Sequence, residues 1–181
     1  NPTDENELRF VYEKDLVALP SMASVLGYPG NWLRNPDTGV DYLKLVNAGN
    51  SFTIHKPIPT EGTLVGQAKV DTIIDKGEGR GALISSIRDV IHAEDDELVC
   101  TIRASTYCRA DGGFGGPTGP IEVPQAIPSD KPDHICDLPT LAQSALIYRL
   151  SGDYNPLHAD PNTAKSAGFS RPISHGLLTF G

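Results

Sequence analysis

The chain has 181 residues, 39% of them hydrophobic and 21% charged, with a formal net charge of −8. That length fills one large domain or two small ones, and the acidic balance argues against a nucleic-acid partner, because phosphate binding needs a basic face. A small anionic ligand held by a few local Lys or Arg side chains stays open.

No apolar run approaches the roughly 20 residues that cross a bilayer, and the first residues, NPTDENELRF, lack a signal peptide's basic start and apolar core. A soluble chain without a readable address is expected. Cys100, Cys108 and Cys136 form no CxxC pair and leave an odd number, which suits free thiols in a reducing compartment. Nothing near Cys108 lowers its pKa, so it reads as a small buried residue rather than a nucleophile.

In chain order, ALPSMASVLGYPG (18–30) has the apolar spacing of a helix closed by Gly27 or Gly30. SFTIHKPIPTEG (51–62) suggests a strand running into a Pro-Gly turn. Three segments, 63–77, 81–93 and 96–110, are rich in β-branched residues and alternate imperfectly between apolar and polar positions. Gly77, Gly79 and Gly81 punctuate the first junction and Glu94-Asp95-Asp96 the second, which predicts an antiparallel meander. GGFGG (112–116) and GEGRG (77–81) lack the Lys-Ser/Thr and the following helix of a nucleotide loop. Residues 112–134 are dense in Gly and Pro and read as a linker or wrapping segment. Beyond them Leu138, Leu141, Ala142, Ala145 and Leu146 fall at helical spacing. A helix over 137–152 is predicted, with Asp137 as N-cap, Pro139 in the first turn and Gly152 in the left-handed closing position. A second helix opens near 172–181, with Ser174 as its cap.

After Gly152 the chain reads DYNPLHAD. Asn155-Pro156 stiffens the loop, and His158 follows Asp153 by five positions, near enough for both side chains to face one cavity. A carboxylate beside an imidazole orients its tautomer, and the pair can hold one water and move two protons. The bland alternative makes Asp153 a helix-stop residue and His158 a satisfied loop histidine. Gly176 adds a third group: with Ser174 as cap, its N–H lies in the first turn without an intrahelical partner, a donor suited to a developing oxyanion. Together these describe addition to, or hydrolysis of, an activated carbonyl compound. Asp153, His158, Asp160 and His175 also carry metal-ligating atoms, but catalytic zinc takes closer histidine spacing. Ser144 and Ser151 lack the setting of a nucleophilic serine.

The stretch YRLSGDYNPLHADPNTAKSAGFSRPISHGLLTFG closely resembles the hydratase 2 motif of the MaoC-like, (R)-specific 2-enoyl-CoA hydratases. Upstream, LRFVYEKDLVALPSM, KPIPTEGTLVGQAKVDTIIDKGEG and GGFGG are similar to the first half of the double-length eukaryotic members, such as the hydratase part of the peroxisomal multifunctional enzymes of type 2.

The resemblance implies an α+β double hot dog, each half an antiparallel sheet wrapped round a long central helix. Residues 1–116 would be a non-catalytic, acyl-CoA-binding hot dog, 117–133 a Pro/Gly-rich linker, and 134–181 the start of a catalytic hot dog. It further implies Asp153 and His158 as the dyad, Asn155 as loop support, and the Gly176 N–H as oxyanion donor. Gly152, Gly49 with Ala48 beside it, and Lys76 would contact acyl-CoA, Ala48 standing where some relatives carry histidine. The implied reaction is hydration of trans-2-enoyl-CoA to the (3R)-3-hydroxyacyl-CoA, with no metal and no cofactor beyond the CoA of the substrate. Implied partners are the acyl-CoA thioester and a second copy in a homodimer, with no membrane span. The compartment would be peroxisomal in a eukaryote and cytoplasmic in a bacterium. The chain is short at both ends against the family pattern, so it is expected to be fused to or followed by further chain, and to be unstable or inactive alone. A hot-dog thioesterase and a non-catalytic acyl-CoA-binding domain are the rival readings.

Overall fold

A computed structural model describes residues 4–120 and 126–180. Residues 121–125 of the expected linker, and Gly181, lie outside the described residues. The chain divides into two compact units, Asn1–Gly119 and Pro120–Gly181. Among the described residues no helix is long and apolar enough to cross a membrane.

In the first unit a short helix α1 (Glu5–Leu8), capped by Asp4, precedes a four-stranded antiparallel sheet. Its strands are β1 (Leu45–Ile54), β2 (Leu64–Asp75), β3 (Ala82–His92) and β4 (Leu98–Cys108), in the order β1-β4-β3-β2. The three predicted meander strands are β2 to β4, with Ala82 opposite Asp75 and Ala82 also opposite Cys108. The central pair supplies most of the core: Val90, Val99, Cys100 and Ile102 pack with Ala23 and Ile58, and Ala82, Ile84 and Cys108 pack with Leu33. The strand expected at 51–62 sits earlier. It starts at Leu45 and ends at Ile54, because Pro57 and Pro59 have no N–H to continue a ladder. Between Asn47 and Gly49 the strand carries a β-bulge with Ala48 as the extra residue.

The helix expected over 18–30 is a five-residue 3₁₀ turn, Pro20–Ser24, whose Ala23 is fully buried against the sheet. This short turn, and not a long helix, packs against β1 and β4. Gly27 adopts φ +57° and lies against Gly66 of β2 so closely that a Cβ on Gly66 would stand 2.2 Å from the Gly27 carbonyl oxygen. That backbone contact halts the helical path.

GEGRG is the β2–β3 hairpin turn, as its glycines predict. GGFGG has a different use. The Asp75 carboxylate, at the end of β2, accepts from the backbone N–H groups of Gly77 (2.8 Å), Gly113 (2.7 Å) and Gly115 (2.8 Å). Those donors hold the carboxyl below its usual pKa, Gly113 contributing most. A glycine loop that could have cradled a phosphate holds the chain's own anion.

The second unit contains α2 (Ser144–Tyr148), continued by a 3₁₀ turn Arg149–Ser151, then α3 (Pro161–Ser166) and α4 (Gly176–Thr179). The predicted helix over 137–152 is therefore cut to its second half, and Asp137 caps nothing among the described residues. Leu138 and Leu141 remain 82% and 57% exposed; an apolar stripe without a packing partner does not sustain a short helix. The part that does form is the part that touches α4.

Candidate active site in the second unit

Gly152 closes the 3₁₀ turn at φ +107°, which turns Asp153 out of the helical path. Two successive polar turns then fix the loop. The Asn155 N–H donates to Asp153 Oδ1 at 3.1 Å, and the Leu157 N–H donates to Asn155 Oδ1 at 3.1 Å, capping the Pro156–His158 turn. Asn155 thus supports the loop through its own side chain. His158 Nδ1 lies 2.8 Å from the Ile173 carbonyl oxygen. A carbonyl only accepts, so Nδ1 carries the hydrogen and, in the neutral ring, Nε2 carries the lone pair.

Asp160, the acid of HAD, serves elsewhere. Its carboxylate accepts from the Asn162 and Thr163 N–H groups and from the Thr163 hydroxyl, capping α3. These bonds, the hydroxyl first, hold its pKa below the usual carboxylate value.

His175 takes the place expected for a ligand. It is 2% exposed, and its ring packs between Tyr148 (centroids 4.5 Å) and His158 (4.0 Å). Its Nε2 stands 3.9 Å from Asp153 Oδ2, beyond hydrogen-bonding distance, and neither ring nitrogen makes a well-formed hydrogen bond among the described residues. Burial, then the neighbouring His158, lowers its pKa, so it is neutral at pH 7. One donor atom from each of Asp153, His158 and His175 lies within 4.8 Å of the other two. Atoms that close could share one ion, and they could equally share one water.

Gly176 opens α4, and the cap position is His175, not Ser174, because the extended backbone before the helix ends one residue later than expected. The consequence for Gly176 is the same: its N–H is in the first turn, and no acceptor takes it among the described residues. A Cβ there would meet nothing within 4 Å. Between α2 and α4 a cavity of about 240 Å³ is lined by Ser144, Ile147, Tyr148, Ser151 and Leu178, without Gly176 or the dyad. Burial, and then the Asp153 charge, raise the Tyr148 pKa.

Ala48, Gly49 and Lys76 belong to the first unit. Ala48 and Gly49 are exposed at the bulge of edge strand β1. Lys76 is half-buried, with Nζ 5.1 Å from the centre of the Tyr107 ring. A separate cavity of about 510 Å³ in this unit is lined by Leu16, Val17, Ile54, Pro57 and Ile58, among others. Cys108 is no thiolate: burial pushes its pKa up to about 11.

The structure brings Asp153 and His158 together with His175, keeps Asn155 in the loop between them and puts Gly176 at the start of α4; Tyr148 and the packing role of His175 have no counterpart in the sequence reading. The signal for His175 was its position directly before Gly176, at the mouth of the same helix.

The architecture defines the class: an α+β protein whose first unit carries the antiparallel sheet of a hot dog. Comparison with known proteins gives the family. Residues 3–110 match the MFE-2 hydratase 2 N-terminal domain, and residues 123–181 match the MaoC-like domain. The chain is 35% identical to mouse peroxisomal multifunctional enzyme type 2, over all of this chain and 25% of that protein. It is also 35% identical to Arabidopsis thaliana peroxisomal enoyl-CoA hydratase 2, over 98% of this chain and 62% of that protein. The structure of full-length Drosophila melanogaster peroxisomal multifunctional enzyme type 2 aligns over 99% of this chain and 31% of that one, at 30% identity and TM-score 0.77. The chain belongs to the hydratase 2 family of MaoC-like proteins. It spans less than two thirds of the length of these relatives.

Proposed function

We propose that this chain carries the dyad of an (R)-specific enoyl-CoA hydratase, a hydro-lyase that reversibly adds water to a trans-2-enoyl-CoA to give the (3R)-3-hydroxyacyl-CoA. The observation that supports it most is the convergence of Asp153 and His158 in one cluster, with His158 Nδ1 occupied by Ile173 O so that Nε2 is left as the proton acceptor. Names of relatives support the substrate class: enoyl-CoA hydratase 2 in Arabidopsis thaliana and enoyl-CoA hydratase ChsH3 in Mycobacterium tuberculosis.

In the hydration direction, a water held by Asp153 and His158 gives a proton to His158 Nε2 as its oxygen bonds to C3. The electron pair of the C2–C3 double bond shifts toward the thioester, and the charge that develops on its oxygen is met by the Gly176 N–H. His158 then returns a proton to C2, so that one water is added and the dyad is restored. One such backbone donor is worth about 2.7–4 kcal/mol to a transition state. No step calls on a metal or a redox group. Gly152 would contact the acyl-CoA thioester, and Lys76 and the Ala48–Gly49 bulge are proposed separately as acyl-CoA contacts of the first unit.

The test offers crotonyl-CoA and decenoyl-CoA to the full-length protein. Loss of the enoyl absorbance without thiol release, giving the 3R product, is the expected result. Free CoA appearing instead would make the protein a thioesterase; no change in either signal would leave a binding domain. A peroxisomal compartment in a eukaryotic source and a homodimer belong to the same proposal, checked by organelle fractionation and by light scattering.

A further inference from the structure

His175 is a costly residue for a merely structural place. It is buried between two rings, yet neither nitrogen makes a well-formed hydrogen bond within the described residues, although the Asp153 backbone lies near enough to favour its charged form, and an apolar side chain would fill the same space without leaving polar atoms poorly paired. The charge its Nε2 faces is Asp153 Oδ2, at 3.9 Å. Asp153 already has its other oxygen fixed, since Oδ1 accepts from the Asn155 N–H. A neutral imidazole has one N–H, a carboxylate only accepts, and the Asp153 side chain is 48% exposed and therefore free to swing by the ångström that separates the pair from hydrogen-bonding distance.

We infer that His175 is a positioning residue: its Nε2–H donates to Asp153 Oδ2 when the site closes on substrate, so that the carboxylate is gripped at both oxygens and presents one orientation to the water it shares with His158. This rests on the hydratase reading and deepens it. A carboxylate with a donor on each oxygen is a poorer base, which assigns the first proton to His158 and leaves Asp153 to orient the water. The Tyr148 and His158 rings set the plane of His175, and its position immediately before Gly176 ties the carboxylate's orientation to the start of α4, where the oxyanion donor stands.

The experiment compares three replacements in the full-length protein. His175→Leu fills the space without a donor, His175→Gln places an amide N–H near the position of Nε2, and His175→Asn places one near Nδ1. With enoyl-CoA as substrate, Leu is expected to lower kcat about 10–100-fold with KM changed less than about twofold, because the loss is one of orientation. Gln is expected to recover most of that kcat, and Asn to recover little. Thermal unfolding accompanies each variant. If Leu fails to fold, the Gln and Asn pair decides alone: equal activity in both overturns the inference. Leu with wild-type kcat also overturns it, as does Gln as slow as Leu at unchanged Tm. Absence of hydration by the unmodified protein would sink the underlying reading instead, which separates the two failures.

Discussion

Replacing His158 in two ways separates its chemistry from its tether. Asn carries an amide nitrogen at about the distance of Nδ1, so His158→Asn can keep the bond to the Ile173 carbonyl, 2.8 Å long in the native protein, while removing Nε2. Gln reaches further and places an amide near Nε2, losing the tether, and is no base either. A positioned general base contributes about 10²–10⁴-fold, which is about 2.7–5.4 kcal/mol of transition-state stabilisation. Both variants should therefore lose that factor in kcat on an enoyl-CoA. Stability should part them. The tether is one partly buried hydrogen bond, worth about 0.5–1.5 kcal/mol, and in a protein of this size that lowers Tm by roughly 1–6 °C. His158→Gln should show this fall and His158→Asn should not. Stopped-flow loss of enoyl absorbance and scanning calorimetry read the two effects. An Asn variant within about threefold of native kcat would show that Nε2 takes no proton, and the dyad argument would fail.

Further outcomes follow from other parts of the molecule. Gly176→Ala adds a methyl group where nothing lies within 4 Å; Tm should be unchanged while kcat/KM drops by about 100-fold, because the methyl group stands where the thioester must approach. A normal rate would mean that the ligand does not come near. Gly66→Ala must push its Cβ into the Gly27 carbonyl, 2.2 Å away, and should cost about 1–3 kcal/mol in urea unfolding; an unchanged midpoint would deny the close crossing. Ile102, 1% exposed in the core, should cost about 2–5 kcal/mol as Ala, read in the same way. The Asp75 carboxyl has its folded pKa lowered from the ordinary 3.8. Its stabilisation is thus complete above the unfolded value and is lost as pH falls through 3.8 toward the lower folded pKa. Asp75→Asn should flatten that acid limb of the stability curve, and an identical limb would show that the glycine clamp contributes nothing.

The sheet was legible because β2, β3 and β4 carry their pattern locally: alternating β-branched residues between glycine and acidic turns. The first strand was not, since Asn47, Gly49 and Asn50 look like a turn until β4 is there to pair with them around a bulge. The two helices were overread for one reason. Helical spacing states which face would be buried but not whether anything covers it. At 20–24 a glycine crossing replaced the helix, and at 138–141 the apolar face stayed exposed. The site loop was legible because its geometry is made within a few residues, by Gly152, the Asp153 and Asn155 turns and Pro156. His175 was opaque because its meaning lies in contacts with Tyr148 and His158, which no local pattern announces.

The distribution of carboxylates explains why α4, rather than another donor cluster, is left for a ligand. Among the described residues, backbone N–H groups that attract negative charge gather at the glycine loop and at the starts of α1, α3 and α4, and Asp4 takes the Asn6 N–H of α1. At the glycine loop Asp75 takes the N–H groups of Gly77, Gly113 and Gly115. At the start of α3 Asp160 takes those of Asn162 and Thr163. In each, the chain's own acid has occupied the position before an anion from outside could. At the start of α4 the cap residue is His175, a neutral side chain that makes no bond to the helix among the described residues, and Asp153 has one carboxylate oxygen committed to the Asn155 N–H. Gly176 thus keeps an uncommitted N–H beside a carboxylate and an imidazole. An acid at position 175 would be buried within reach of the Asp153 carboxylate, and like charges out of water repel strongly. His175→Asp is therefore expected to lower Tm and to abolish hydration, and a variant as stable and as active as the native protein would show that position 175 does not face the dyad.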